Sequence, residues 1–265
     1  MKRLEPIFES LRARGEAALI AYITAGDPSL ERLPDILRVL QDAGVDMVEV
    51  GFPFSDPLAD GPVIQAAMYR ALQGGATLPK VLEAVAAVSP TLQIPLIAFT
   101  YYNPVQRYGL EQFAREAVAA GFTACLMTDL PPDEADEWLQ HARQHGLQPI
   151  FLLTPTSTTE RIRLVAERGQ GFVYCVSRTG VTGARDQLPP DLPELIERIR
   201  QHTALPIAVG FGVSKPEHVR QIAQIADGAV VGSQLVQCLH EFADSPHWQA
   251  AIGEYLRGLK QAARH

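Results

Sequence analysis

Two carboxylates stand eleven positions apart in the stretch DMVEVGFPFSDPLADGP: Glu49 and Asp60. Side chains alternate along a strand, so Met47, Glu49 and Gly51 would share one face and Val48 and Val50 the other. A carboxylate in such apolar company is costly to desolvate and needs either a partner or a purpose. Burial would raise its pKa toward the range useful for a general acid/base. A structural glutamate bonded to a donor on the next strand fits the same spacing equally well. Asp60 closes a loop, Gly51–Pro62, that holds three prolines, two glycines and two aspartates and is expected to take one ordered form. If that loop folds back, the two acids overlook one pocket and can divide acid and base roles. Capping or a simple turn is the plainer account of Asp56 and Asp60.

Three further segments carry candidate chemistry. In GFVYCVSRTGVTG, Tyr174 shares a strand face with Phe172 and Val176, which puts its hydroxyl inside the sheet's enclosure; a core tyrosine with one hydrogen bond is the simpler alternative. Arg178, Gly180, Thr182 and Gly183 follow in a loop whose glycines permit hinge motion or a close backbone approach to an anion. GFGVS (210–214) and GAVVGS (228–233) offer bare amides at Gly212 and Gly232 and a hydroxyl at Ser233. Such amides can hold a phosphate at a helix N-terminus. Ser233 also fits the N-cap of a helix over Gln234–His240.

These residues need a scaffold that gathers strand ends. Eight short apolar runs, at Ala18–Thr24, Asp46–Gly51, Pro95–Tyr101, Ala124–Asp129, Pro149–Thr154, Gly171–Ser177, Pro206–Phe211 and Gly228–Gly232, alternate with amphipathic helical segments. Such runs fit strands of a parallel sheet covered on both faces. Helices are marked by Leu33, Ile36, Leu37 and Leu40, by Phe113, Ala117 and Ala120, and by Leu195, Ile196 and Ile199, with Gly44, Gly121, Gly146 and Gly169 as expected stops. A doubly wound sheet would satisfy the same order, but the first strand leads into TAGDP and not the GxGxxG of a dinucleotide fold. The expected fold is therefore α/β: a single (β/α)₈ TIM barrel over residues 1–265, with an extra N-terminal helix (Leu4–Arg14) and a C-terminal helical tail (His247–Ala263). The longest irregular stretches, Phe52–Pro62 and Arg178–Pro190, follow strands two and six, on the face where barrels build active sites.

Composition narrows the partners. A net charge of −7 argues against nucleic acid and means that any anionic ligand needs local donors. No apolar run approaches the roughly 20 residues of a membrane span, and the charged start MKRLEPIFESL does not suit a signal peptide. Cys125, Cys175 and Cys238 are widely spaced, as expected of reduced thiols in a cytoplasmic protein. None of the four lysines falls in a strand run, where a Schiff-base lysine would be shielded. His141 and His145 have the i,i+4 spacing of a metal pair, but a solvated helix face is the expected setting, and no metal site is expected.

The segments VEVGFPFSDPLADGP, YCVSRTGVTG, GFGVS and VVGSQLV, with AYITAGDP and TYYNPV, stand in the order and spacing of the tryptophan synthase alpha-subunit family, which the chain resembles along nearly its whole length. The resemblance implies a lyase that cleaves indole-3-glycerol phosphate to indole and glyceraldehyde 3-phosphate by cofactor-free acid/base chemistry. It implies Glu49 as general acid/base, Asp60 at the indole N1–H and Tyr174 near the glycerol moiety. Gly183, Phe211, Gly212, Gly232 and Ser233 match phosphate-binding positions, and Thr182 matches a lid residue that reaches Asp60. Asp56, Arg178 and Gly180 would belong to the lid and partner loops. It further implies a pyridoxal-phosphate beta subunit as partner in an alpha2beta2 complex, with indole passed between subunits. Tyr22 and Met127 stand where family members carry phenylalanine and leucine, and would slightly reshape the indole pocket. Other phosphate-binding barrels remain alternatives: a phosphoribosyl isomerase, or indole-glycerol-phosphate synthase, whose catalytic lysine is missing here. So does a catalytically idle barrel that only activates a partner.

Overall fold

The computed structural model describes residues 3–176, 189–210 and 212–264. Eight parallel strands close into a barrel: β1 (Ala18–Thr24), β2 (Met47–Gly51), β3 (Leu96–Thr100), β4 (Phe122–Met127), β5 (Gln148–Leu153), β6 (Val173–Val176), β7 (Ile207–Gly210) and β8 (Gly228–Val231). β8 returns to pair with β1, setting Ala18 opposite Gly228 and Ala21 opposite Val231. All eight expected strands are present. Their ends move by a few residues: β4 begins at Phe122 rather than Ala124, and Asp46 precedes β2. The shift at Asp46 has a cause, because its carboxylate accepts from the Leu19 amide at 2.7 Å and from Lys260 at 2.7 Å at the foot of the barrel.

Twelve α-helices surround the sheet among the described residues: α1 (Glu5–Ala13), α2 (Leu33–Asp42), α3 (Pro62–Gln73), α4 (Leu78–Val88), α5 (Tyr102–Tyr108), α6 (Leu110–Ala120), α7 (Asp136–His145), α8 (Thr159–Arg168), α9 (Leu192–Arg200), α10 (Pro216–Ala223), α11 (Ser233–Glu241) and α12 (Trp248–Ala262). The apolar stripes expected for α2, α6 and α9 are the faces they bury. Gly121 and Gly146 end α6 and α7 in the left-handed conformation, which costs a glycine little. Gly169 ends α8 in extended backbone instead.

Two apolar clusters follow from the strand alternation. Leu19, Ala21, Val48, Val50, Ala98 and Val209 point outward to the helices. Ala18, Ile20, Tyr22, Met47, Ile97, Phe99 and Tyr174 fill the barrel. The foot of the barrel is sealed by α1, whose Phe8 and Leu11 join the inner cluster beside Leu4. Polar contacts fasten that plug: the Leu4 amide donates to Gln148 Oε1 at 3.0 Å, and Gln148 Nε2 to Glu5 Oε1 at 2.7 Å. α12 packs on α2 and α10, and Lys260 near its end meets Glu16 and Asp46. With the foot closed by α1, the carboxyl ends of the strands are left as the open face of the barrel among the described residues.

His141 and His145 are half-buried on α7, with His141 Nδ1 and His145 Nε2 shielded and unpartnered, rather than on a solvated face. The reason is that α7 is pressed between α6 and β5, so even its polar residues lose water. Among the described residues no third metal-binding side chain joins them. Cys125 and Cys175 are buried thiols, Cys238 is half-buried, and no helix is long and apolar enough to cross a membrane.

Candidate active site

Continuing the inward alternation of each strand to its carboxyl end yields the site. On β1 the series Ala18, Ile20, Tyr22 ends with a phenol; on β2, Met47 is followed by Glu49; on β3, Ile97 and Phe99 lead to Tyr101. Tyr22 and Glu49 are register partners across β1 and β2, and Glu49 faces Ile97 on β3. Glycines make room for the phenols. A Cβ on Gly51 would lie 2.2 Å from the Tyr22 hydroxyl, and one on Gly210 would lie 2.1 Å from the Tyr174 hydroxyl. Tyr22 and Phe99 meet edge to face, their centroids 5.0 Å apart.

Glu49 is fully buried, and among the described residues neither carboxylate oxygen has a hydrogen-bond partner. The plainer reading of the sequence, a glutamate satisfied by the next strand, is thereby corrected. Desolvation without compensation pushes its pKa up to about 8, so the carboxyl is largely protonated at neutral pH.

Asp60 is also buried, but it has company. The Tyr101 hydroxyl donates to Asp60 Oδ2 at 2.6 Å. Burial raises the Asp60 pKa while this bond lowers it, and the balance is about 6. Asp60 is held in place by its own loop: its amide donates to Pro57 O at 3.1 Å, and Gln65 Nε2 donates to its carbonyl at 2.8 Å. Capping or turn formation therefore does not exhaust its role, since the side chain points inward. Two neighbouring acids with different surroundings thus hold different charge states near pH 7: Glu49 neutral, Asp60 ionised.

A small cavity of about 40 Å³ opens at the carboxyl ends among the described residues. Tyr22, Ile64, Phe99 and Val230 give it apolar walls, and Asp60 and Tyr174 add polar ones. Gly212, Gly232, Ser233 and Gln234 line one side. Glu49 does not line it; its carboxyl is fully buried and set back from the cavity, close enough to Tyr22 and Tyr174 to add to the rise that burial causes in the pKa of both.

The glycine side of the cavity is the start of α11. Gly232 is the N-cap, with no side-chain cap, and Ser233 is the first helical residue rather than the cap. Because no side chain caps this end, first-turn amides remain available to an anion, and the helix dipole favours one there. Gly232 has open space in front of it: a Cβ there would meet only Tyr22 carbons, at 3.6 Å and beyond. Among the described residues no lysine or arginine lines the cavity.

Asp56 and Leu58 lie at the exposed crest of the loop, Leu58 being 87% exposed, and Ser55 Oγ donates to the Asp56 carboxylate. Arg178, Gly180, Thr182, Gly183 and Phe211 lie outside the described residues. Met127 is buried on the outer side of β4, with the cluster facing the helices, and not in the cavity. Tyr101, Phe99, Ile64 and Gln234 were not singled out from the sequence. The inward period of β3 extended past its end would have found the first two; the others depend on how α3 and α11 dock.

The family model described as tryptophan synthase alpha chain matches residues 8–264. The tryptophan synthase alpha chain of Solibacter usitatus (strain Ellin6076) is 46% identical over 261 residues, 98% of each chain. That of Geotalea daltonii is 49% identical over 243 residues, 92% of each. Among solved structures, a Mycobacterium tuberculosis tryptophan synthase chain superposes with TM-score 0.91 at 40% identity, covering 100% of this chain and 99% of that one. Tryptophan synthase subunit alpha from Legionella pneumophila str. Paris gives 0.88 at 36% identity, over 99% and 98%.

Proposed function

The chain belongs to the tryptophan synthase alpha chain family, and on that premise we propose which of its residues perform each part of the cleavage of indole-3-glycerol phosphate. The reaction splits a carbon–carbon bond, releasing indole and glyceraldehyde 3-phosphate. Indole C3 must gain a proton before it can leave, and the glycerol C3′ hydroxyl must lose one.

Glu49 supplies the first proton. Its carboxyl is neutral near pH 7, so it can give a proton to indole C3, after rotating toward the cavity. The cation formed on the ring is stabilised at N1–H by ionised Asp60. The Glu49 carboxylate then takes the C3′ hydroxyl proton. The C3–C3′ electron pair returns to the ring, an aldehyde forms, and Glu49 ends protonated as it began. Tyr174 contacts the glycerol moiety, and the apolar walls with Tyr22 hold the indole ring. Gly212, Gly232 and Ser233 receive the phosphate on backbone amides, joined by Gly183 and Phe211. Thr182, with Arg178 and Gly180, serves as the lid over Asp60. The observation that carries this reading is the pairing of a buried, neutral Glu49 with an ionised Asp60 that lines the adjoining cavity.

Among the described residues the cavity presents no lysine with which pyridoxal phosphate could form a Schiff base, and no step passes through that group. It is assigned to a beta subunit, which would dock at the crest holding Asp56 and Leu58 in an alpha2beta2 complex and take up the indole. The chain would work as one barrel domain in the cytoplasm.

The test is to incubate the chain with indole-3-glycerol phosphate, with and without a beta subunit, and follow indole. Glu49→Gln should release neither product while still binding glycerol phosphate. Normal turnover in that variant would remove Glu49 from the mechanism.

A further inference from the structure

One buried hydroxyl joins the catalytic floor to the exposed loop. Tyr101 is 2% exposed, and its ring packs on Phe54 at 5.1 Å. Its oxygen donates to Asp60 Oδ2 at 2.6 Å and accepts from the Ala59 amide at 3.1 Å. Two neighbouring residues of the β2–α3 loop are therefore fastened to one atom on the residue that follows β3. The rest of the loop is tied to itself: the Leu58 amide donates to Asp56 O at 2.9 Å and the Asp60 amide to Pro57 O at 3.1 Å. A shift of the crest cannot occur without disturbing the bond to Asp60.

We propose that Tyr101 is a positioning residue for the cleavage: its hydroxyl sets where the Asp60 carboxylate stands and couples that placement to the Asp56–Leu58 crest. The proposal rests on the assignment of Asp60 to the indole ring given above. With Oδ2 held by Tyr101, Oδ1 is the oxygen left to meet the ring nitrogen. Hydrogen bonds to a charged acceptor are the strong ones, and a buried carboxylate deprived of its donor is costly.

The bond also favours the ionised form of Asp60. Among the described residues, the titratable groups that feel Asp60 are Tyr22 from β1, Tyr101 after β3 and Tyr174 from β6, with Glu49 of β2 acting on Tyr22 and Tyr174 in turn. The three phenols all titrate above their ordinary range because they are buried, and Glu49 titrates near 8. The acid limb of kcat/KM, near pH 6, is thus assigned to Asp60.

Tyr101→Phe removes one oxygen and keeps the ring on Phe54. The expected result is an acid limb displaced upward by about one pH unit, with kcat/KM lowered about fivefold at pH 6 and approaching about tenfold below it, since each pH unit is a factor of ten in protonation. Glycerol phosphate binding should change less than about twofold. Genetically encoded 3-fluorotyrosine at position 101, a more acidic phenol of nearly the same shape, should move the limb downward. It provides a folded reporter if Tyr101→Phe does not accumulate. An unmoved limb in whichever of these variants folds overturns the proposal. Asp60→Asn separates the two readings. If that variant turns over normally, the role of Asp60 itself fails; if it is inactive while the limb ignores position 101, only the role of Tyr101 fails.

Discussion

Replacing Glu49 by methionine should make the protein more stable and inactive, and the gain should depend on pH. The unfolded carboxyl titrates near 4.5, the folded one near 8. Because the folded value is raised, the native state binds the proton more tightly. Below the unfolded value both states are protonated and nothing is lost. Between the two values the unfolded chain ionises while the native chain does not, and stability falls as pH rises. One pH unit corresponds to about 1.4 kcal/mol, so the penalty is about 2 kcal/mol near pH 6 and about 4 kcal/mol near pH 8, levelling off above. Methionine has a similar shape, carries no charge, and would sit among Met47, Ile97 and the phenols. Urea unfolding of both proteins at about pH 6 and about pH 8 tests this. The variant's advantage should widen by about 2 kcal/mol between the two conditions, with similar m-values. An advantage independent of pH would show that Glu49 enters the folded state already ionised, and the acid role assigned to it would lose its physical basis.

Two further substitutions probe other parts of the site. Gly232→Val sets methyl groups before the first-turn amides of α11, where an added Cβ meets only ordinary van der Waals contact with Tyr22. Steady-state kinetics should show KM for indole-3-glycerol phosphate raised about tenfold, the loss of about 1.4 kcal/mol of anion binding, with little change in melting temperature. An unchanged KM would move the phosphate elsewhere. Arg70→Met strips the buried Asp27 of a partner that bonds both its oxygens at 2.8 Å. Removing one member of a buried pair is costly, but Arg70 is itself 31% exposed, so a loss of about 2 kcal/mol in urea unfolding is expected. A loss under about 0.5 kcal/mol would make the pair no better than a surface ion pair.

How far the sequence reached depends on the range of the forces involved. The barrel and the inward face of Glu49 follow from alternation along single strands, a local pattern that the closed sheet preserves. The solitude of the Glu49 carboxylate does not follow, because a donor on the next strand is a nonlocal matter, and Ile97 stands opposite. Asp60 looked equally like a turn residue, since Asp before Gly-Pro reads the same whether its side chain caps a helix or meets a phenol forty-one positions away. Ser233 misled for a local reason. A serine before a helical run favours the N-cap, but the helix begins one residue earlier, with Gly232 as the cap. The half-burial of His141 and His145 likewise belongs to the packing of α7, which its polar composition does not announce.

The acidity of the chain bears on the same site. A net charge of −7 repels a phosphorylated substrate at long range, yet among the described residues no cationic side chain lines the cavity to offset it. A lysine or arginine on the cavity wall would hold the phosphate more strongly, but its charge would also act on the two acids. It would pull the Glu49 pKa down, turn the neutral donor into a carboxylate, and remove the contrast with Asp60 on which proton transfer depends. Main-chain amides and a helix terminus bind an anion with partial charges that fade within a turn. They therefore leave the carboxyls, on β2 and the loop that follows it, to be governed by burial and by Tyr101. On this view the absence of a basic clamp and the unpartnered state of Glu49 are one design. A lysine introduced at Gln234 should tighten glycerol phosphate binding while lowering the pH at which kcat declines on the alkaline side; tighter binding with that limb unmoved would separate the two features.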